Sequence, residues 1–517
     1  MFGLANSAWP CASRSVLERE GRPQAAAGVD PRPQLLTYPD SLGGDLGAIA
    51  DLLDGPLDGL FRGVHILPPF PSSADRGFAP VTYQTIDPRF GSWESVKRIG
   101  ARHDVMLDVM INHISRQSLE FQDFQRVGRR SPYADLFITL DKIWPDGDPE
   151  AGDVARIFLR KPDSPFSTVT IERTGDVERI WTSFGSADWS EQIDLDVTSE
   201  MTRSLVSGWL RSFAEKGVRI VRLDAVGYVI KKRGSSCFMV EPEIYEFLDW
   251  IASVADSLGL VVLPEVHDRY GTHERLASRG FWTYDFVLPG LVLDALETGE
   301  SRRLAAHLER SPDRQFTTLD CHDGIPVLPD LDGILEPREM LDLAGRIRQR
   351  GGNVNRILSE GGTDGVDIHQ LNCTYYAALG CDDDRYVAAR AIQLFAKGVP
   401  QVYYVGLLAG ENDAEAVSRS GDGRAINRHD YTLEEVDAAL GRPVVRRVLE
   451  LVRLRNTHPA FDGELDVAGD TSSLLLRWRN GDAVCALDVD LASGRIAVDE
   501  GVPKSTLSGS AWNESPA

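Results

Sequence analysis

Gly217-Val218-Arg219-Ile220-Val221-Arg222-Leu223-Asp224-Ala225-Val226 combines a buried apolar run with two charges at one end. Val218, Ile220, Val221 and Leu223 give the near-continuous hydrophobic pattern of a parallel strand covered on both faces. Asp224 stands where such a strand leaves the sheet, and a carboxylate there is costly unless it is paired or used. Arg222, two residues earlier, projects to the same side and is placed to keep that carboxylate ionised. Taken alone, the two residues fit a structural ion pair at a strand end as well as they fit a catalytic group. Two other strand ends carry acids in the same way. Glu265 closes Val261-Val262-Leu263-Pro264-Glu265-Val266-His267, and Asp323 follows Phe316-Thr317-Thr318-Leu319-Asp320-Cys321-His322.

The same βα rhythm extends to both sides. Strands are expected at 34–38, 63–68, 105–110, 217–226, 261–267, 280–285, 315–320 and 400–406. Helical spacing alternates with them, for example at 45–53 with Asp45 as N-cap and at 93–103 behind Ser92. The helix at 198–216 carries Met201, Leu205, Trp209 and Phe213 as an apolar stripe. Eight strands alternating with helices give an α/β fold, a (β/α)8 TIM barrel, whose chemistry gathers on the loops after the strands.

The barrel is expected to comprise 34–114, 197–321 and 377–456. An excursion at 115–196, aromatic and proline-rich, reads as an inserted domain after the third strand, and 322–376 as a second insertion after the seventh. Short alternating strands from 457 to 517 read as a small C-terminal β-domain, and 1–33 as a poorly ordered extension.

The formal net charge of −23 argues against nucleic-acid and anionic-membrane partners, which require clustered Lys and Arg. The six cysteines have no metal-site spacing and read as reduced thiols, and no run of about 18 apolar residues is present. Neither a metal nor an organic cofactor is expected. The start has no signal-peptide pattern, so a cytoplasmic protein is expected, as a monomer or homodimer.

Two carboxylates with different duties are what glycosidic bond cleavage needs: one attacks the anomeric carbon and the other protonates the leaving oxygen. Asp224 beside Arg222 suits the nucleophile. Glu265, after an apolar strand, suits an acid kept protonated by its surroundings. Asp323 would be a third carboxylate, able to bind sugar hydroxyls and to stabilise developing positive charge.

The four segments Asp108-Val109-Met110-Ile111-Asn112-His113, Val221-Arg222-Leu223-Asp224-Ala225-Val226, Pro264-Glu265-Val266 and Leu319-Asp320-Cys321-His322-Asp323 resemble, in that order, the four signature regions of the α-amylase family, glycoside hydrolase family 13. The resemblance implies Asp224 as nucleophile, Glu265 as acid/base and Asp323 as transition-state stabiliser, with His113, Arg222 and His322 at the glucose subsite. Gln34-Leu35-Leu36-Thr37-Tyr38, Gly63-Val64-His65-Ile66-Leu67-Pro68, Leu223-Asp224-Ala225-Val226-Gly227-Tyr228 and Gly398-Val399-Pro400-Gln401-Val402-Tyr403-Tyr404-Val405-Gly406 are similar to the sucrose phosphorylase subfamily. That likeness implies Asp75 and Arg424 gripping the far side of the glucose ring and Phe78 as its platform. It also implies Phe184 over the acceptor site, with Tyr228, His267 and Gln370 lining it.

The departures from that pattern are specific. The loop matching Phe158-Leu159-Arg160-Lys161-Pro162 typically reads Tyr-Arg-Pro-Arg-Pro in sucrose phosphorylases, and the tyrosine usual two residues after the loop aspartate, here Asp367, is His369. Arg160, Lys161, Asp367 and His369 are therefore the expected phosphate and acceptor residues, with His369 facing the acceptor. Within the subfamily the pairing resembles the sucrose 6'-phosphate phosphorylases. The expected partners are thus a small sugar and inorganic phosphate. Phosphorolysis of sucrose, glucosylglycerol or glucosylglycerate and α-glucosidase hydrolysis are the alternatives.

Overall fold

The computed structural model describes residues 28–145, 147–162, 164–185, 190–357 and 365–501. The expected N-terminal extension up to residue 27, the loop residues 358–364 and the tail from 502 lie outside the described residues.

Eight parallel strands form the barrel: β1 (Gln34–Thr37), β2 (Gly63–Ile66), β3 (Asp104–Met110), β4 (Val218–Asp224), β5 (Val261–Pro264), β6 (Thr283–Asp285), β7 (Gln315–Thr317) and β8 (Val399–Tyr403). They are hydrogen-bonded in the order β6-β7-β8-β1-β2-β3-β4-β5. Register places Met110, at the end of β3, beside Asp224 at the end of β4, and Leu36 of β1 beside Tyr403 of β8. The strands are buried on both faces because helices cover the outside and interlocking side chains fill the inside.

The caps expected from the sequence form. The Asp45 side chain accepts from the Ala48 amide at 2.8 Å at the head of α1 (Leu46–Asp54), and the Ser92 side chain accepts from the Glu94 amide at 3.2 Å at the head of α2 (Trp93–Gly100). The apolar stripe of α3 (Glu200–Glu215) divides its work differently from expectation. Val206, Leu210 and Phe213 enter the barrel core, Leu205 and Trp209 pack toward the inserted segment, and Met201 stays 36% exposed. A helix with a barrel on one side and an insertion on another buries more than one stripe.

That insertion has two small cores of its own. Phe121, Phe124, Phe137 and Ile180 make one, and Trp144, Ile157, Phe166 and Trp181 the other, around a hairpin of Phe166–Thr170 and Val177–Trp181. An antiparallel ladder of His113–Ser115 with Gln192–Asp194 ties its entrance to its exit beside the mouth of the barrel. After β7, Ile325–Pro326, Ile368–Asn372 and Asn353–Arg356 form an antiparallel sheet over the same mouth. Four antiparallel strands between Glu464 and Asp499 make the small C-terminal sheet domain.

Every strand differs from expectation at one limit or both, by one to three residues, and three of the shifts have a visible cause. β8 stops at Tyr403 because Tyr404–Leu407 coils into a helical turn, with Tyr386 Oη donating to the Gly406 carbonyl. β7 stops at Thr317, and beyond it Asp320 turns away from the sheet to meet the wholly buried Arg390 at 2.5 Å. β6 starts at Thr283, since Gly280 (φ +85°) is still closing the preceding helix.

Candidate active site

A cavity of about 790 Å³ opens at the C-terminal ends of the strands, where the loops converge. Its floor is organised by Arg222. One guanidinium nitrogen, Nη1, donates to Asp224 at 3.1 Å and also to Asp108, while Nη2 meets Glu265 at 2.6 Å. Asp108 is held from its other oxygen by His65 Nε2 at 2.8 Å. Arg222 thus divides its charge among three carboxylates rather than serving Asp224 alone. Burial and the adjacent Glu265 push the Asp224 carboxyl well above its ordinary value, against Arg222. For Asp108 burial works upward, but His65 and Arg222 outweigh it and hold that carboxyl at about 2.

Glu265 does not have the apolar surroundings expected of it. Besides Arg222, it accepts from the Ala225 amide at 3.1 Å and lies 3.7 Å from His267 Nε2. Ala225 adopts the left-handed conformation (φ +53°), and this turn aims its N–H across to the neighbouring strand end. The sequence places the acid correctly at the strand end, but the amide reaching it from the next strand is a tertiary feature.

Asp323 is gripped from the last loop of the barrel. Arg424 donates to it at 3.1 Å and to Asp75 at 2.8 Å, so Asp75, Arg424 and Asp323 form one chain of ion pairs. Burial works against the charged form of Asp323, but His322, Arg424 and Arg428 outweigh it and hold its carboxyl well below the ordinary range. The Phe78 ring stacks flat on His322, with centroids 5.0 Å apart and planes 3° apart. Burial lowers His322 to about 3, so it presents a neutral imidazole. His113 donates to the Phe78 carbonyl at 2.8 Å, and burial also lowers it.

Beside His113 the cavity wall becomes aromatic and basic. Phe184 and Tyr228 meet edge to face at 5.2 Å, and the Arg160 guanidinium carbon lies 6.0 Å from each ring centre. Burial raises Tyr228 to about 12 and keeps it a neutral phenol. Arg160 Nη1 donates to His369 Nε2 at 2.6 Å, while His369 Nδ1 faces the Leu328 carbonyl at 2.7 Å. That pair of contacts assigns the ring hydrogen to Nδ1 and makes Nε2 an acceptor. Burial first, and then Arg160, push His369 far below its ordinary value.

The structure therefore brings together Asp75, Phe78, His113, Arg160, Phe184, Asp224, Tyr228, Glu265, His267, His322, Asp323, Gln370 and Arg424 around one cavity, with Arg222 beneath it. Three expected residues stand elsewhere. Lys161 is 1% exposed and donates to the Phe166 carbonyl, Ser167 and Thr182, so its charge serves the hairpin of the insertion. Asp367 pairs with Arg356 on the exposed side of its loop. His369 sits behind Arg160 and does not face the acceptor space. Asp108, His65 and Gln192 are functional candidates that the sequence reading passed over, although Asp108 heads one of the four segments. Gln192 donates to the Phe78 carbonyl at 3.1 Å and lines the cavity.

Among the described residues, Glu265, His267 and Asp323 bring one possible metal-ligand atom each within 4.8 Å of one another, as do Cys321, His322 and Asp323. Both carboxylates are already engaged by arginine, Glu265 by Arg222 and Asp323 by Arg424. No described helix is long and apolar enough to cross a membrane.

A family model described as alpha amylase, catalytic domain, matches residues 20–278. The sucrose 6(F)-phosphate phosphorylase of Thermoanaerobacterium thermosaccharolyticum is 52% identical over 469 residues, covering 90% of this chain and 96% of that protein. The glucosylglycerol phosphorylase of Marinobacter adhaerens is 43% identical over 460 residues, covering 89% and 94%. The crystal structure of sucrose 6F-phosphate phosphorylase from Thermoanaerobacter thermosaccharolyticum superimposes with a TM-score of 0.90 at 51% identity, over 92% of this chain and 97% of that one.

Proposed function

The chain belongs to the α-amylase family, and on that premise we propose that it is a retaining glycoside phosphorylase that converts sucrose 6'-phosphate and inorganic phosphate to α-D-glucose 1-phosphate and fructose 6-phosphate. The observation that carries the acceptor assignment is Arg160, a guanidinium that lines the same cavity as the Asp75–Arg424 pair and is held by a histidine that brings no charge of its own.

On this reading Asp224 attacks C1 of the glucosyl unit and forms a β-glucosyl ester as the bond to fructose 6-phosphate breaks. Glu265 gives its proton to the leaving oxygen. Phosphate then attacks C1 from the vacated side, its proton passes to Glu265, and the ester to Asp224 breaks. Three carboxylates crowd one guanidinium here, and burial with the adjacent Glu265 raises the Asp224 carboxyl, so the attack draws on its ionised form. Asp323 and Arg424 hold hydroxyls of the glucosyl unit, with Asp75 beside them. Phe78 and His322 present a stacked face to the ring. Arg160, between Phe184 and Tyr228, receives the 6'-phosphate.

The test is kcat/KM for phosphorolysis of sucrose and sucrose 6'-phosphate before and after Arg160→Ala. A charge-assisted contact contributes about 1.5–3 kcal/mol, so a roughly ten- to hundredfold loss is expected on the phosphorylated sugar alone. An equal loss on both sugars would overturn the phosphate-receptor role.

A further inference from the structure

The segment Leu328-Pro329-Asp330 holds two histidines of the acceptor half, and it does so with different chemistry. The Leu328 carbonyl accepts from His369 Nδ1 at 2.7 Å, whereas the Asp330 carboxylate meets His267 Nδ1 at 3.1 Å. The two rings stand nearly perpendicular, with centroids 6.0 Å apart. A carbonyl accepts a hydrogen bond without adding charge, so His369 stays neutral and spends its lone pair on Arg160. A carboxylate adds a negative charge and favours the imidazolium form.

We propose that Asp330 is a positioning residue that keeps His267 positively charged, so that the acceptor half of the cavity favours phosphate over water in the second half-reaction. This rests on the phosphorylase reading above. Four observations support it. Asp330 is fully buried, and its Oδ1 has no hydrogen-bond partner among the described residues, so a positive His267 is the compensation that this carboxylate has at hand. The His267 ring is fixed by stacking on Phe286 at 4.1 Å, which leaves Nε2 in the cavity, 3.7 Å from Glu265. Glu265 and Asp323 also face the ring and favour its charge, while burial opposes it, and His273 and His369 stand nearby as rings that burial keeps neutral. Burial notwithstanding, Asp330 and then Glu265 raise His267 above its ordinary value. Finally, Lys161 is turned away, so the cation expected from it is missing at this end, and His267 with Arg160 supplies positive charge there.

The experiment is an NMR titration of the His267 ring in the full chain, assigned by the signal lost in His267→Gln, together with product partition in Asp330→Asn. His267 is expected to titrate above about 6.5 in the wild type and to fall in Asp330→Asn. The variant's KM for phosphate is expected to rise about tenfold, the size of a weakened charge-assisted contact, while glucose release without phosphate changes less than about twofold. The ratio of free glucose to glucose 1-phosphate rises accordingly. A wild-type His267 that titrates at or below about 6.5 would overturn the proposal, even if the variant fails to fold. Equal loss of phosphorolysis and hydrolysis in a folded variant would overturn it too. A wild type that forms no glucose 1-phosphate from any sugar refutes the phosphorylase reading, and the titration still reports Asp330's effect on the ring.

Discussion

Arg160 and His369 share a 2.6 Å hydrogen bond in which the imidazole is the acceptor. On the proposed reading, the specificity device is therefore a single charge with a neutral support, not a pair of cations. His369→Phe keeps a ring of similar bulk and removes the lone pair. We expect kcat/KM on sucrose 6'-phosphate to fall about three- to tenfold, the net value of one hydrogen bond, and kcat/KM on sucrose to hold steady. Because burial and Arg160 keep His369 neutral, acidification through about pH 6 should change the ratio of the two constants alike in the wild type and in His369→Phe.

Asp224 and Glu265 are separable by the character of the loss. Asp224→Asn removes the covalent step, and phosphorolysis should fall on the order of 10⁴-fold or more. Glu265→Gln leaves the nucleophile, and the fall of roughly 10²–10⁴-fold should be smallest for a substrate with a good leaving group, such as α-glucosyl fluoride. An equal response of both variants to that substrate would contradict the two roles. Initial rates with the sugar phosphate and the fluoride, measured side by side, decide the matter.

The buried Lys161 ammonium group donates to the Phe166 carbonyl, Ser167 and Thr182 of the insertion. Lys161→Met should lower stability by about 1–3 kcal/mol, read as a drop in the midpoint of chemical unfolding. The KM for phosphate should stay within about twofold, because the ammonium group lies away from the cavity.

Asp108 supplies a pH dependence of stability. Its carboxyl lies at about 2 in the fold and near 3.8 when unperturbed. A lowered folded value means that the stabilisation is fully present above the unfolded value and is lost as pH falls from about 3.8 toward 2. Melting curves should show that acid limb in the wild type and a shallower one in Asp108→Asn. At pH 7 the variant should be less stable by about 3–5 kcal/mol, since Arg222 and His65 lose a buried partner.

Gly406 sits where a side-chain carbon would collide with both Arg390 and Asp320. Gly406→Ala should therefore cost at least about 1–3 kcal/mol, far more than an exposed glycine would suggest. Activity should fall with it, because Asp320 begins the loop that carries Asp323. Thermal unfolding and phosphorolysis rates on the same preparation test the link.

The barrel was legible because short apolar blocks alternate with helical spacing, and both Asp45 and Ser92 cap their helices as the pattern requires. The acids were legible because a charge at the end of an apolar strand has few bland explanations. What the sequence could not provide was direction. Lys161 and Arg160 are adjacent, yet one enters the hairpin and the other the cavity. The Met201 stripe had the right period but could not reveal that two bodies flank the helix. His369 drew attention as a replacement for an expected tyrosine, whereas its position behind Arg160 depends on the Leu328 carbonyl, 41 positions away.

The Asp75–Arg424 ion pair joins residues 349 positions apart, one after β2 and the other after β8. During synthesis, a nascent chain that has emerged through Asp323 already carries all three acids, but the wall proposed to hold the glucosyl unit is missing. On that reading, sugar is gripped only after the final strand has closed the barrel and its loop has come back to the second. Ligand binding thus reports completion of folding, and a chain arrested before Arg424 is an inert scaffold rather than an uncontrolled hydrolase.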